Sequence, residues 1–136
     1  MGGCHGLDEE LNMDMTISNN LNRIARGIHM QNVAAGWWSD PKTGERLERN
    51  VPEMLCLIHS EISEAMEGHR KNLMDDKLPT RKMIEVELAD ALIRILDLSE
   101  GLGLDIGGAT AEKLEFNRNR QDHKLASRMA AGGKAY

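Results

Sequence analysis

Three observations predict an all-α protein. The chain is rich in Leu, Ala, Ile, Met and Glu and holds three prolines, two tryptophans, one tyrosine and one phenylalanine, so strand-forming residues are sparse. Its apolar residues recur at i, i+3, i+4 over long stretches that are separated by turn signals. Its 136 residues suffice for one domain with a real core. The expected architecture is a four-helix-type bundle spanning residues 16–122, preceded by a flexible arm over residues 1–15 and followed by a basic, Gly-rich tail over residues 123–136.

Taken in order, Thr16 or Ser18 is placed to cap a first helix, which carries Ile17, Leu21, Ile24, Ala25 and Ile28 and stops near Gly36. The following GWWSDPKTGERLERN reads as a loop, because Asp-Pro and Thr-Gly are turn signals. It holds both tryptophans, Trp37 and Trp38. Either they plug the end of the bundle or they offer a stacking face to a planar ligand such as a nucleobase, and one residue can serve each purpose. Pro52 suits the first turn of a second helix with Met54, Leu55, Ile58, Ile62, Ala65 and Met66 on its apolar stripe. Cys56 reads as core. Thr80 is placed to cap a third helix, apolar at Ile84, Leu88, Ala91, Leu92, Ile95, Leu98 and Leu102 and again at Ala89, Ile93 and Leu96. A helix apolar round so much of its circumference packs on more than one side, which implies a central place in the bundle or a subunit interface, hence a homodimer or homotetramer. Asp105 is a good N-cap for a fourth helix.

The second and third helices each carry a pair of acids at i, i+3: Glu61 and Glu64 in LCLIHSEISEAMEG, Glu87 and Asp90 in IEVELADALIRILD. That spacing puts both members of a pair on one helix face. A short polar break joins the two helices, so the four carboxylates are expected to meet between helices 2 and 3, at the edge of the core. Burying several carboxylates together is unfavourable unless cations accompany them. Residues 55–62 offer no Lys or Arg. A divalent metal held by Glu61, Glu64, Glu87 and Asp90 is the simplest compensation, and an all-oxygen set suits Mg²⁺, or Mn²⁺, better than Zn²⁺. The competing reading is a charged interface between subunits. Arg94, four residues after Asp90, is placed to orient it. On the fourth helix Lys113, Asn117 and Arg120 share one face; alone they read as a solvated face, while together they can bind a polyphosphate. His29 and His123 flank the Trp loop and Arg120 respectively.

Composition excludes several classes. A net charge of −5 argues against a nucleic-acid polymer as partner. No apolar run approaches the roughly 18 residues of a membrane span. The start Met1-Gly2-Gly3-Cys4 lacks the Ser or Thr that an acylation signal needs at position six, where Gly6 stands. Cys4 and Cys56 form no zinc or disulfide pattern, so a reducing, cytoplasmic setting is expected.

HSEISEA, then ELADALIRILD, then EKLEFNRNR, resembles the MazG-like all-α nucleoside triphosphate pyrophosphohydrolases, and most closely their small, single-domain, often phage-encoded members, which would place the chain in a host cytoplasm. The family hallmark is E-E-x-x-E followed by E-x-x-D on the next helix. The resemblance implies Mg²⁺ ligands at Glu61, Glu64, Glu87 and Asp90, phosphate contacts from Lys113, Asn117 and Arg120, and a base held near the Trp loop, with His29, Trp37, Trp38 and Arg94 as further substrate contacts. It implies hydrolysis of nucleoside triphosphates, dNTPs favoured, to a monophosphate and pyrophosphate, with Glu61 or Glu64 taking the proton of the attacking water. One position departs from the pattern: the first Glu of the block is Ser60 here. The alternatives are a related pyrophosphohydrolase acting on phosphoribosyl-ATP or on a modified or signalling nucleotide, and a non-catalytic helical module for dimerisation or partner binding.

Overall fold

The computed structural model describes residues 4–135; residues 1–3, the first part of the expected arm and of the acylation-like start, lie outside it, as does residue 136. The described chain is helical, with no strand: α1 Cys4–Ala34, α2 Val51–Lys71, α3 Met83–Gly101, α4 Ile106–Asn119, a single 3-10 turn Gln121–His123, and a short α5 Leu125–Met129. No helix among the described residues is long and apolar enough to cross a membrane. The chain divides into two compact units, one formed by Ile24–Leu104 and the other by the described residues of Met1–Arg23 and Asp105–Tyr136.

The helix expected from Thr16 begins at Cys4 instead. The intervening EELNMDM is mostly Glu, Leu and Met, which are good helix formers, and once a downstream helix exists each further residue adds a hydrogen bond without a new nucleus. Thr16 sits inside the helix, its hydroxyl donating to the Asn12 carbonyl. The tail expected over residues 123–136 contains α5.

In the Ile24–Leu104 unit, α2 starts at Asn50, whose side-chain oxygen accepts from the Glu53 amide at 3.1 Å, with Pro52 in the first turn. It ends at Asn72, in the left-handed conformation at φ 51°, with the Leu73 amide returning to the Gly68 carbonyl. The connection to α3 is tied at both ends. The buried Asp75 carboxylate accepts from the Lys77 and Leu78 amides at 2.9 and 2.6 Å, and the Met83 amide donates to the Leu73 carbonyl. Thr80 therefore belongs to this turn. The helix starts at Met83, where the Glu85 carboxylate accepts from the Lys82 amide.

α2 and α3 run antiparallel, since Gly68 meets Met83 while Glu61 meets Arg94. A Cβ on Gly68 would lie 2.8 Å from the Met83 side chain, so glycine lets the two helices close on each other. The buried line of α2 is Glu61, Ala65 and Gly68, at i, i+4, i+7, and it faces Glu87 and Ala91 on α3. Cys56 is exposed, which corrects its reading as core; it lies off this line.

The Trp loop is a closed turn. The Asp40 carboxylate accepts from the Lys42 and Thr43 amides, Gly44 takes φ 73°, and the Leu47 amide donates to the Trp38 carbonyl. Trp38 is 5% exposed and lies on the last turn of α3, where a Cβ on Gly101 would come within 2.2 Å of its ring.

In the other unit Asp105 caps α4 as expected, accepting from the Gly108 amide at 2.8 Å. Asn22 donates to the same carboxylate and accepts from the Gly107 amide. A Cβ on Gly107 would lie 2.1 Å from the Ser18 carbonyl oxygen, so α1 and α4 approach there through a glycine.

Gly101→Ala is expected to lower thermal stability. Displacing the Trp38 ring costs about 1–3 kcal/mol for an overpacked site, and the gain in helix propensity offsets at most about 1 kcal/mol. A melt followed by tryptophan fluorescence checks this: a Tm equal to or above wild type contradicts the packing described.

Candidate metal centre

Glu61 on α2 and Glu87 and Asp90 on α3 each place a carboxylate oxygen within 4.8 Å of the other two. Glu61 and Glu87 are 7% and 8% exposed, whereas Asp90 is exposed. Like charges that close repel by about 3–4 kcal/mol even at an effective dielectric near 20. The group answers this in two ways. The Glu87 carboxyl is pushed up to about 7, first by burial, then by its hydrogen bond with Glu61, then by the charges of Glu64, Glu61 and Asp90. Arg94 donates from Nε to Glu61 Oε1 at 2.6 Å across the helix pair. Arg94 therefore serves Glu61, not Asp90 as its i+4 spacing suggests.

These carboxylates line a cleft of about 690 Å³, together with Glu64, Arg94 and the connection residues Asp75, Asp76 and Lys77. Glu64 is exposed and outside the close triad, about 60° round the helix from Glu61. The donor set is all oxygen, crowded with negative charge and open to the cleft. It fits a hard divalent cation, which would neutralise the charge that a proton and one guanidinium otherwise balance. Ser60, where the family pattern has Glu, donates its hydroxyl to the Leu57 carbonyl within its own helix.

A second cleft, of about 420 Å³, is lined by Asn32, Trp37, Arg49, Met54, Leu57, Ile93, Asp97 and again Asp90 and Arg94. The two readings open for the tryptophans divide here. Trp37 is 64% exposed and lines this cleft. Trp38 is buried; its indole N–H donates to both oxygens of Asp97 at 3.0 and 3.1 Å, and Arg49 lies 5.7 Å from its ring centroid. His29 packs edge-on against Trp38 and bonds Asp97 through Nδ1 at 2.7 Å. Trp38 and His29 are thus committed to a buried network that anchors the loop on α3.

The stripe expected on α4 belongs to the other unit. Lys113 lies 4.6 Å from the Phe116 ring centroid, Arg120 is paired with Asp122 at 2.6 Å, and the buried Asn117 Oδ1 has no hydrogen-bond partner among the described residues. His123 stands 4.0 Å from Asp122.

Asp97, Lys77, Asn32 and Arg49 are site or support residues that the sequence reading does not place at a site, although Asp97 closes the polar line Glu87, Asp90, Arg94, Asp97 along the third helix. Asp75 reads from sequence as a surface charge; it is instead buried, because its carboxylate accepts the Lys77 and Leu78 amides of the turn. The chain matches no family model, no curated protein and no solved structure in the comparisons made.

The raised Glu87 carboxyl fixes a sign for pH dependence. Its folded value of about 7 lies above its ordinary 4.5, so the stability it contributes is complete below 4.5 and is lost as pH rises through about 7. Between pH 4.5 and 8 metal-free protein should lose stability that Glu87→Gln does not lose. A divalent cation should raise Tm more at pH 8 than at pH 5.5, because binding requires the deprotonated group. Melts of both proteins across this range, with Mg²⁺ and with EDTA, check it. A Mg²⁺ effect larger at pH 5.5 contradicts the site.

Proposed function

We propose that the chain is a Mg²⁺-dependent nucleoside triphosphate pyrophosphohydrolase of the MazG-like type, converting triphosphates, dNTPs by preference, to the monophosphate and pyrophosphate. The observation that carries this reading is the meeting of two clefts at Asp90 and Arg94. One holds the carboxylates, and the other presents the exposed Trp37 indole above apolar walls of Met54, Leu57 and Ile93. A nucleotide has the same two-part chemistry, a planar base joined to a chain of phosphates.

Glu61, Glu87 and Asp90 would hold the metal, which when bound polarises phosphoryl oxygens and makes a water more acidic. Trp37 stacks on the base and Asn32 meets its polar edge. Glu64, exposed and outside the close triad, is the carboxylate best left to accept the proton of the attacking water. Water adds to the α-phosphorus, the bond to the bridging oxygen breaks, and pyrophosphate leaves. This reading uses only residues of the Ile24–Leu104 unit.

A four-helix-type bundle in a homodimer or homotetramer, working in the cytoplasm, belongs to the same proposal. Supporting the assembly, α2 exposes Leu55, Ile62 and Met66 and α3 exposes Leu88 and Leu92.

Product analysis with the eight common NTPs and dNTPs, with Mg²⁺ and with EDTA, tests the reaction. Pyrophosphate and a monophosphate should form only with metal, and Glu64→Ala or Asp90→Ala should lower the rate at least ~100-fold while leaving the helical circular dichroism intact, in line with the loss of an acid–base or charge-stabilising group. Orthophosphate with a diphosphate contradicts attack at the α-phosphorus. No turnover of any of the eight, by a chain that still self-associates, favours a helical binding module.

A further inference from the structure

Arg94 is placed unlike any other cation of the Ile24–Leu104 unit. It lines both clefts, and its Nε holds Glu61 Oε1 at 2.6 Å. Its side chain is 43% exposed while that of Glu61 is 10% exposed, so the pair joins a solvent-facing cation to a buried anion. Only Nε is engaged: among the described residues the two Nη groups make no hydrogen bond. The Nη edge, which can grip a phosphate through parallel N–H bonds, is therefore left unused while Glu61 holds the guanidinium by one nitrogen. Glu61 is the only member of the close triad that α2 supplies, and among the described residues no other cation pairs with it. A guanidinium on that carboxylate and a divalent cation among Glu61, Glu87 and Asp90 compete for the same charge.

We propose that Arg94 is an exchangeable counter-ion, which neutralises Glu61 in the metal-free protein, is displaced when a divalent cation takes that carboxylate, and then grips the phosphate chain of the bound ligand. The inference rests on the metal site and nucleotide reading above and adds an order to them: the cation first, the phosphates second. Several forces favour the exchange. A dication interacts with three converging carboxylates, whereas Arg94 meets one oxygen of one of them. The released side chain stays at the junction of the clefts, where a ligand spanning them carries its phosphates. Lys77, the other cation of the acidic cleft, makes no ion pair among the described residues and so cannot be released by the metal in this way.

Calorimetric titrations test this with Mg²⁺ alone, and with inorganic pyrophosphate at saturating Mg²⁺, on wild type, Arg94→Gln, Arg94→Lys and Lys77→Gln. Arg94→Gln removes the competitor and the phosphate contact together. It should bind Mg²⁺ at least threefold more tightly than wild type and pyrophosphate at least tenfold more weakly. Arg94→Lys keeps the charge without the planar fork, so its Mg²⁺ affinity should stay within threefold of wild type and its pyrophosphate affinity should fall between the other two. Lys77→Gln should leave Mg²⁺ affinity within threefold of wild type. If wild type binds Mg²⁺ and Arg94→Gln binds it equally or more weakly, or holds pyrophosphate as well as wild type, the exchange is refuted while the metal site stands. If wild type binds no Mg²⁺, the metal reading fails and takes this inference with it.

Discussion

The repulsion among Glu61, Glu87 and Asp90 is the constraint on which the Ile24–Leu104 unit turns. Two of these carboxylates are buried in the seam between α2 and α3, where apolar packing would ordinarily be used. Replacing such a group by hydrophobic side chains is often neutral or stabilising, so its presence asks for a reason other than stability. The helix pair is otherwise built to close tightly: Gly68 admits Met83, Ala65 and Ala91 are buried, and the connection is tied by Asp75. The packing therefore holds the carboxylates at a fixed separation against their repulsion. Carboxylates pre-arranged in this way would receive a cation without first having to be assembled.

A second layer of buried charge supports the first. Asp97, one turn beyond Arg94 and two beyond Asp90, gathers the His29 imidazole and the Trp38 indole N–H. It thereby joins the end of α1, the loop and the last turns of α3 inside one unit. Gly101 completes the seat for Trp38. The cleft wall carrying Trp37 is fixed through its neighbour, so the exposed indole is presented on a rigid support. The acidic cleft and the aromatic cleft thus share one helix, with Asp90 and Arg94 common to both.

The parts of this arrangement set by local sequence were legible. Helical class follows from composition and period, the Asp105 cap from residue type, and the convergence of Glu61 with Glu87 and Asp90 from two i, i+3 pairs on helices joined by a short turn. What depended on tertiary contact was not. Arg94 reads as a partner of Asp90 on its own helix, yet the packing of α2 against α3 brings Glu61 closer to it. Glu64 shares a motif with Glu61 but sits outside the triad, because the buried line of α2 runs through Glu61, Ala65 and Gly68. The early start of α1 was hidden by glycines and acids that read as a loose arm, although Leu, Glu and Met dominate after Gly6. Thr80 is a good cap by type, and the Asp75 turn uses that segment first. The resemblance to a known family rests on motif order in the sequence.

The most direct test of the central claim is a Mn²⁺ titration of the chain at pH 8, read by electron paramagnetic resonance of the free ion. Saturable binding at one or two sites, displaced by Mg²⁺ and abolished by Glu87→Gln with Asp90→Asn, is the expected result. A signal that tracks free Mn²⁺ throughout, or binding that survives the double substitution, would show that the carboxylates between α2 and α3 do not form a metal centre.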